Sequence, residues 1–217
     1  VADASHELRT PLTTLRGYAE LHAGRVEDPD TADALRRIRA EATRMHRLVE
    51  DLLTLTSLDR ATLHLGPVDV RRLLDDVASD LQVAQPERRV TVEAAAGVRL
   101  VADEERLTQA VMALGTNALR HTPVTAAVRL TAYATGGEVV IEVSDDGPGI
   151  PPEELARVWD RFARVSQGRA GGGTGLGLAI VAGIVTAHGG RYAALSPPQG
   201  GVTFRLVLPA GSQAEGP

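Results

Sequence analysis

The chain has 217 residues, no cysteine and a formal net charge of −5, which excludes disulfide scaffolds, thiol catalysis and cysteine-based zinc sites. All 23 basic residues are arginine; without lysine there is no Walker-A loop, no protein-kinase β3 lysine and no Schiff-base chemistry. Acids and bases are interspersed, so no nucleic-acid footprint is present, and with aromatics at 3% the core must be built from Leu, Val and Ala.

The sequence opens inside a helical pattern and reads as part of a longer chain. Residues 1–60 carry two apolar series. Val1, Leu8, Leu12, Leu15 and Ala19 recur at heptad spacing, and Leu35, Ile38, Ala42, Met45, Val49 and Leu52 follow in steps of three and four, with Leu48 and Leu55 widening the stripe. Between them Glu27-Asp28-Pro29-Asp30 breaks the helix, and Asp30 or Thr31 can cap the next one. Two such helices form an antiparallel hairpin that cannot bury both stripes alone. Two chains are therefore expected to pair through residues 1–60 into a four-helix bundle. The alternative is a hairpin packed on its own C-terminal domain.

Composition shifts at Leu65-Gly66-Pro67, which reads as a linker. Residues 1–66 and 67–209 are the expected domains, with 210–217 a disordered tail. Beyond the linker a helix is expected over Val68–Val83. Short strands follow at Val90–Glu93 and Val98–Val101, then a helix at Glu104–His121. Val128–Ala134 and Glu138–Ser144 alternate as strands around a Gly136-Gly137 turn. Pro152–Phe162 begins as a helix N-terminus should. Leu176–His188 is an apolar helix stopped by Gly189-Gly190, and Arg191–Ser196 and Val202–Leu208 are strands. This is an α+β arrangement of helices on a mixed sheet. The uncharged stretch Ala170–Ala187 has a compact apolar part about half the ~20 residues of a membrane span.

Five groups of residues carry possible chemistry. In Ser5-His6-Glu7-Leu8-Arg9-Thr10-Pro11-Leu12, helical geometry turns His6 away from the apolar stripe and puts Thr10 on its face. A carboxylate at Glu7 beside the imidazole can accept its N–H proton and leave the other ring nitrogen nucleophilic. An exposed histidine on a helix is also an ordinary surface residue. Asn117, Arg120 and His121 leave the last turns of one helix, where an amide oxygen can ligate Mg²⁺ and a guanidinium can hold phosphate; a capped, charged helix end reads the same way. Asp145-Asp146-Gly147-Pro148-Gly149-Ile150 follows a strand, where a carboxylate can accept an adenine amine or simply begin a turn. Trp159–Arg164 precedes a polar glycine-rich run, 165–172, that is either a solvated loop or a segment bringing Arg164 to phosphate. Gly173-Thr174-Gly175-Leu176-Gly177-Leu178 opens a helix whose N-terminus favours a polyphosphate. A Rossmann site would need a strand directly before these glycines and an acid ~20 residues on; Gly189–Ser196 carries no acid.

Ser5–Leu12 resembles the H-box of the sensor histidine kinases of two-component systems. The later groups resemble, in order and spacing, the N, G1, F and G2 boxes of the GHKL (Bergerat) ATP-binding α/β sandwich shared by histidine kinases, gyrase, Hsp90 and MutL. An ATPase or chaperone of that fold leaves the H-box unexplained. The resemblance implies that His6 is the phosphoacceptor, Glu7 its acid/base partner and Thr10 the hydroxyl that orients water for dephosphorylating a partner regulator. It also implies that Asn117 ligates Mg²⁺, Asp145 anchors adenine, Arg120 and Arg164 contact phosphate, and His121, Gly147, Gly149, Gly173, Gly175, Leu176 and Gly177 belong to the ATP site. Two positions depart from the pattern: Ala113 stands where a second Asn is usual, and Trp159 where Phe is usual.

The function so implied is ATP-dependent autophosphorylation of His6, with transfer to an Asp of a response-regulator receiver domain and regulator dephosphorylation as a reverse step. The alternative is a nucleotide-binding, phosphatase-dominant or scaffold homologue with weak kinase activity. Localisation is expected to be cytoplasmic, with anchoring in the bacterial inner membrane only through upstream segments.

Overall fold

The computed structural model describes residues 13–14, 17, 28–58, 62–163 and 174–211. Helix α1 spans Pro29–Leu58. Its N-terminal cap is Asp28, whose carboxylate accepts the Thr31 N–H at 2.9 Å, rather than Asp30 or Thr31. Pro29 is the first helical residue, where its missing N–H costs no hydrogen bond. The second apolar series divides into two faces. Leu55 is buried and Leu48 partly buried against the core of the C-terminal part of the chain. Ile38, Met45 and Leu52, seven residues apart, are 45–47% exposed.

Residues 62–65 lie outside any helix or strand and lead into the next unit. Gly66 and Pro67, expected in a linker, open strand β1 (Gly66–Asp69). It pairs antiparallel with β3 (Arg99–Ala102), Gly66 opposite Ala102. Val68 and Asp69, expected in the next helix, close this strand. Helix α2 runs Val70–Ala84, with the Asp69 carboxylate accepting the Arg72 N–H at 3.2 Å. An aspartate with extended φ and ψ ends the strand and caps the helix in one residue.

The main sheet has the order β2-β4-β5-β7-β6. Its strands are β2 (Val90–Ala94), β4 (Val128–Thr135), β5 (Glu138–Asp145), β6 (Arg191–Leu195) and β7 (Val202–Pro209). β2 and β4 are parallel, and the other neighbours antiparallel. The sheet is mixed, as the alternating sequence implied, and Gly136-Gly137 makes the β4–β5 turn at positive φ.

Register explains the two faces. Leu130, Val143 and Phe204 align across three strands, as do Ala132, Ile141 and Leu206, and all six are buried. One residue on, Thr131, Glu142 and Arg205 align on the other face, where the Arg205 Nε–Glu142 ion pair closes at 2.6 Å. Period-two alternation thus sends one row to the core and the next to solvent. Helices α2, α3 (Glu104–His121) and α5 (Gly177–Ala187) supply the covering layer. α1 packs on α5.

The expected helix over Pro152–Phe162 shortens to α4, Pro152–Leu155, followed by turns. Trp159 then lies in a turn, its ring 4.6 Å from Tyr192 and 5.6 Å, edge-on, from Phe204. Ala210, expected in the tail, accepts the Val101 N–H and donates to the Gly137 carbonyl, each at 3.0 Å. Among the described residues no helix is long and apolar enough to cross a membrane.

Candidate functional site

A cleft of about 510 Å³ opens between α3, the turn after β5, the start of α5 and α1. Its α3 wall follows from helical period. Leu107, Ala110, Val111, Leu114 and Ala118 form the buried stripe. Ala113, Thr116, Asn117, Arg120 and His121, spaced at three and four, form the adjacent stripe and line the cleft. The N-terminus of α3 is held by the Asp103 carboxylate, which accepts the N–H groups of Arg106 at 3.1 Å and His64 at 3.0 Å. Burial pushes the Asp103 carboxyl up, but these two amides, with Arg106 and His188 nearby, hold it below its usual value.

The C-terminal end of α3 is fixed by Arg88, only 1% exposed. Its guanidinium donates to the carbonyls of Leu119 (3.1 Å), Thr122 (3.2 Å), Ala126 (2.7 Å) and Pro123, to the Thr122 hydroxyl (3.0 Å) and to Gln85 (3.1 Å). Every one of these acceptors is neutral. A cation on the last carbonyls of a helix satisfies groups that the helix cannot, and opposes its dipole.

Asp145 is the last residue of β5, on the same inward row as Val139, Ile141 and Val143. Alternation therefore carries a carboxylate onto the apolar face where the helices leave the sheet open. Burial pushes its carboxyl above the ordinary range; the amide N–H groups of Gly147 (3.0 Å) and Val202 pull it back, Asp146 raises it and Arg88 lowers it. Ile150, Val202 and Phe204 line the cleft beside it. This is an apolar slot flanked by a hydrogen-bond acceptor.

The turn after Asp145 has no room for a side chain at either of its glycines. A Cβ at Gly147 would overlap the Thr122 methyl group, and Gly149, at φ +84°, would meet the Ser196 hydroxyl at 2.8 Å. Ser196 Oγ accepts the Ile150 N–H at 2.8 Å and donates to the Gly201 carbonyl at 2.9 Å, and the Gly201 N–H donates to the Gly147 carbonyl at 2.7 Å. The Pro197-Pro198-Gln199-Gly200-Gly201 turn between β6 and β7 thus buttresses the site from behind.

Thr174, Gly175 and Gly177 form another part of the cleft wall. Helix α5 has no side-chain cap at its N-terminus, so its first amide N–H groups remain available to an anion. Gly175 takes φ +73° with its carbonyl accepting the Phe162 N–H at 2.8 Å, and a Cβ there would meet the Phe162 Cα at 2.8 Å. Phe162 itself has φ 64°. Arg120 acts electrostatically on Asp51, the hydrogen-bond partner of Thr174, and so adds positive charge here; Arg157 also lines the cleft.

Of the expected site residues, Asn117, Arg120, His121, Asp145, Gly149, Gly175 and Gly177 line one cleft. Gly147 sits behind Asp145 as a hydrogen-bond donor. Leu176, expected in the site, is instead 1% exposed and anchors α5 in the core. His6, Glu7, Thr10, Arg164 and Gly173 lie outside the described residues. Sequence reading missed Phe204 and Val202, which only strand register brings to the cleft, and Arg47 and Asp51, contributed by α1. No signal in the sequence joins residues 47–51 to this site. Among the described residues no group of three or more His, Asp and Glu is arranged to hold a metal. The donor set fits a cation held by one amide oxygen, Asn117, together with a ligand's own oxygens.

The family model described as histidine kinase-, DNA gyrase B-, and HSP90-like ATPase matches residues 102–212, and that of the His Kinase A (phospho-acceptor) domain matches residues 1–61. The chain is 45% identical over 214 residues to the probable sensor histidine kinase TcrY of Mycobacterium tuberculosis, covering 96% of this chain and 45% of that protein. It is 40% identical over 224 residues to the phosphate regulon sensor protein PhoR of Pseudomonas aeruginosa, covering 99% and 50%. Among solved structures it resembles full-length ShkA in complex with AMPPNP at a TM-score of 0.78 and 32% identity, covering 98% of this chain and 46% of that one. It also resembles the mycobacterial sensor histidine kinase MprB at a TM-score of 0.62 and 30% identity, covering 66% and 97%. The chain spans about half the length of the curated relatives it matches.

Proposed function

Because the chain belongs to the sensor histidine kinases, we propose that it binds Mg²⁺·ATP in this cleft, autophosphorylates His6 and passes the phosphoryl group to an aspartate of a response-regulator receiver domain. Asp145 is the observation that carries this. A carboxylate beside an apolar slot, with arginines and an uncapped helix N-terminus in the same cleft, suits a molecule with a flat amine-bearing ring and a polyphosphate tail.

Asp145 accepts the exocyclic amine of adenine, and Ile150, Val202 and Phe204 exclude water from the ring. Arg120 and the first N–H groups of α5 take up phosphate charge, joined by Arg164 and Gly173. Asn117 would hold Mg²⁺, whose chemistry is neutralisation of charge on the β- and γ-phosphate oxygens. An imidazole nitrogen of His6 attacks the γ-phosphorus as the bond to the β–γ bridging oxygen breaks. ADP leaves, and Glu7 takes the ring proton. Thr10 orients water in the reverse, hydrolytic step on the regulator's aspartate.

Residues 1–66 serve as the dimerisation and phosphotransfer unit, pairing through residues 1–60, and 67–209 as the ATP-binding unit. The exposed Ile38, Met45 and Leu52 supply an apolar stripe at heptad spacing for the second chain. The working location is the cytoplasmic face of a bacterial membrane.

The test is incubation with Mg²⁺ and γ-labelled ATP, followed by a chase with a receiver domain. Label on the chain that moves to the receiver is the expected result. A chain that hydrolyses ATP but never carries label would overturn the proposal.

A further inference from the structure

Helix α1 reaches the cleft as well as the core. Leu48, Asp51 and Leu55 lie on one face, at steps of three and four; the two leucines pack against the core, and Asp51 between them enters the cleft with Arg47. The Thr174 hydroxyl donates to Asp51 Oδ2 at 2.6 Å, and the Leu176 N–H donates to that same hydroxyl at 3.3 Å. Burial pushes the Asp51 carboxyl above its ordinary range, while Thr174, Arg120 and Arg47 pull it back and Glu50 pushes it up. A carboxylate is thus seated between the arginine of α3 and the glycine-rich entry to α5, the part of the cleft assigned above to phosphate.

Two anions cannot share that place without repulsion, and in a partly desolvated cleft the repulsion is stronger than in water. The guanidinium of Arg47, one turn from Asp51, has the opposite effect. We propose that α1 completes the polyphosphate end of the site with a charge pair of opposing sign, Arg47 as a further phosphate-binding residue and Asp51 as the resident anion that phosphate must displace from Thr174. Nucleotide affinity is then set partly by how α1 is seated, because these two side chains ride on the helix that carries Leu48 and Leu55. The inference rests on the reading of the cleft as an ATP site.

The measurement is equilibrium binding of ATP, ADP and adenosine to the full 217-residue chain, its Asp51→Asn variant and its Arg47→Gln variant. Asparagine keeps an acceptor for the Thr174 hydroxyl and removes only the charge. The expected result is ATP bound about fivefold more tightly by Asp51→Asn and about fivefold more weakly by Arg47→Gln, with smaller effects on ADP. Adenosine, which has no phosphate, binds all three alike; a loss of fold would move adenosine too. Equal ATP affinities in all three, or shifts of the same sign in both variants, would overturn the inference and leave the ATP site standing. Absence of saturable ATP and adenosine binding by the parent chain would overturn the ATP site and the inference together.

Discussion

Ala113 and Asn117 stand one helical turn apart on α3, and both line the cleft. The methyl group of Ala113 offers neither a metal ligand nor a hydrogen bond, so Asn117 is the one side-chain amide of α3 that lines the cleft. Replacing Ala113 by Asn adds a second amide at the adjacent turn. The expected outcome is a gain of about fivefold to tenfold in Mg²⁺-dependent ATP affinity, the worth of roughly one ordinary hydrogen bond. Calorimetric titration with and without Mg²⁺ checks it, and an unchanged Kd would place position 113 out of reach of metal and phosphate.

Asp145 has two consequences of opposite sign. Ionised, it is the stronger acceptor for the adenine amine, so ATP affinity falls on acidification, beginning above the range of an ordinary Asp because burial raises its carboxyl. Folding has the reverse dependence. With the folded pKa raised, the folded chain binds more protons than the unfolded one, and this group costs stability as pH rises through that window. Asp145→Asn is therefore expected to weaken ATP binding about 10- to 100-fold, while melting at the same or a higher temperature than the parent at pH 7. A variant that melts lower and binds ATP normally would contradict both statements.

Arg88 is a buried cation satisfied by backbone carbonyls, a hydroxyl and a side-chain amide. Arg88→Met keeps the bulk but strands the carbonyls at the end of α3. A loss on the order of 3 kcal/mol is expected, because unpaired buried polar groups carry their full desolvation penalty. Urea denaturation measures it; a loss below about 1 kcal/mol would mean that water replaces the guanidinium.

Gly147→Ala tests the packing behind the adenine anchor. The added Cβ overlaps the Thr122 methyl and lies 2.9 Å from Asp145 Oδ1, so either the turn or the carboxylate must move. A destabilisation of about 1–3 kcal/mol, together with weaker ATP binding, is expected. Unchanged binding in titrations of the folded variant would show that the carboxylate does not depend on this turn.

Much of this was legible in the sequence. The period of α3 set its bounds at Glu104–His121 as read, and the alternation in β4 and β5 marked the hairpin around Gly136-Gly137. The misreadings have physical causes. Val68 continues an apolar pattern that suits either a strand end or a helix start, and only pairing with Leu100 decides for the strand. Pro152-Glu153-Glu154 starts a helix, but Trp159 and Phe162 are held in turns by contacts with Tyr192, Phe204 and Gly175 that lie far along the chain. For the same reason the cleft-lining role of Phe204 and the entry of Asp51 were invisible, since both depend on tertiary placement rather than on local pattern.

The most direct measurement is incubation with Mg²⁺ and γ-labelled ATP, comparing the parent chain with His6→Gln. Acid-labile, base-stable label on the parent and none on the variant is the predicted result. Equal labelling of both, or an unlabelled parent that binds ATP with full affinity, would contradict autophosphorylation at His6.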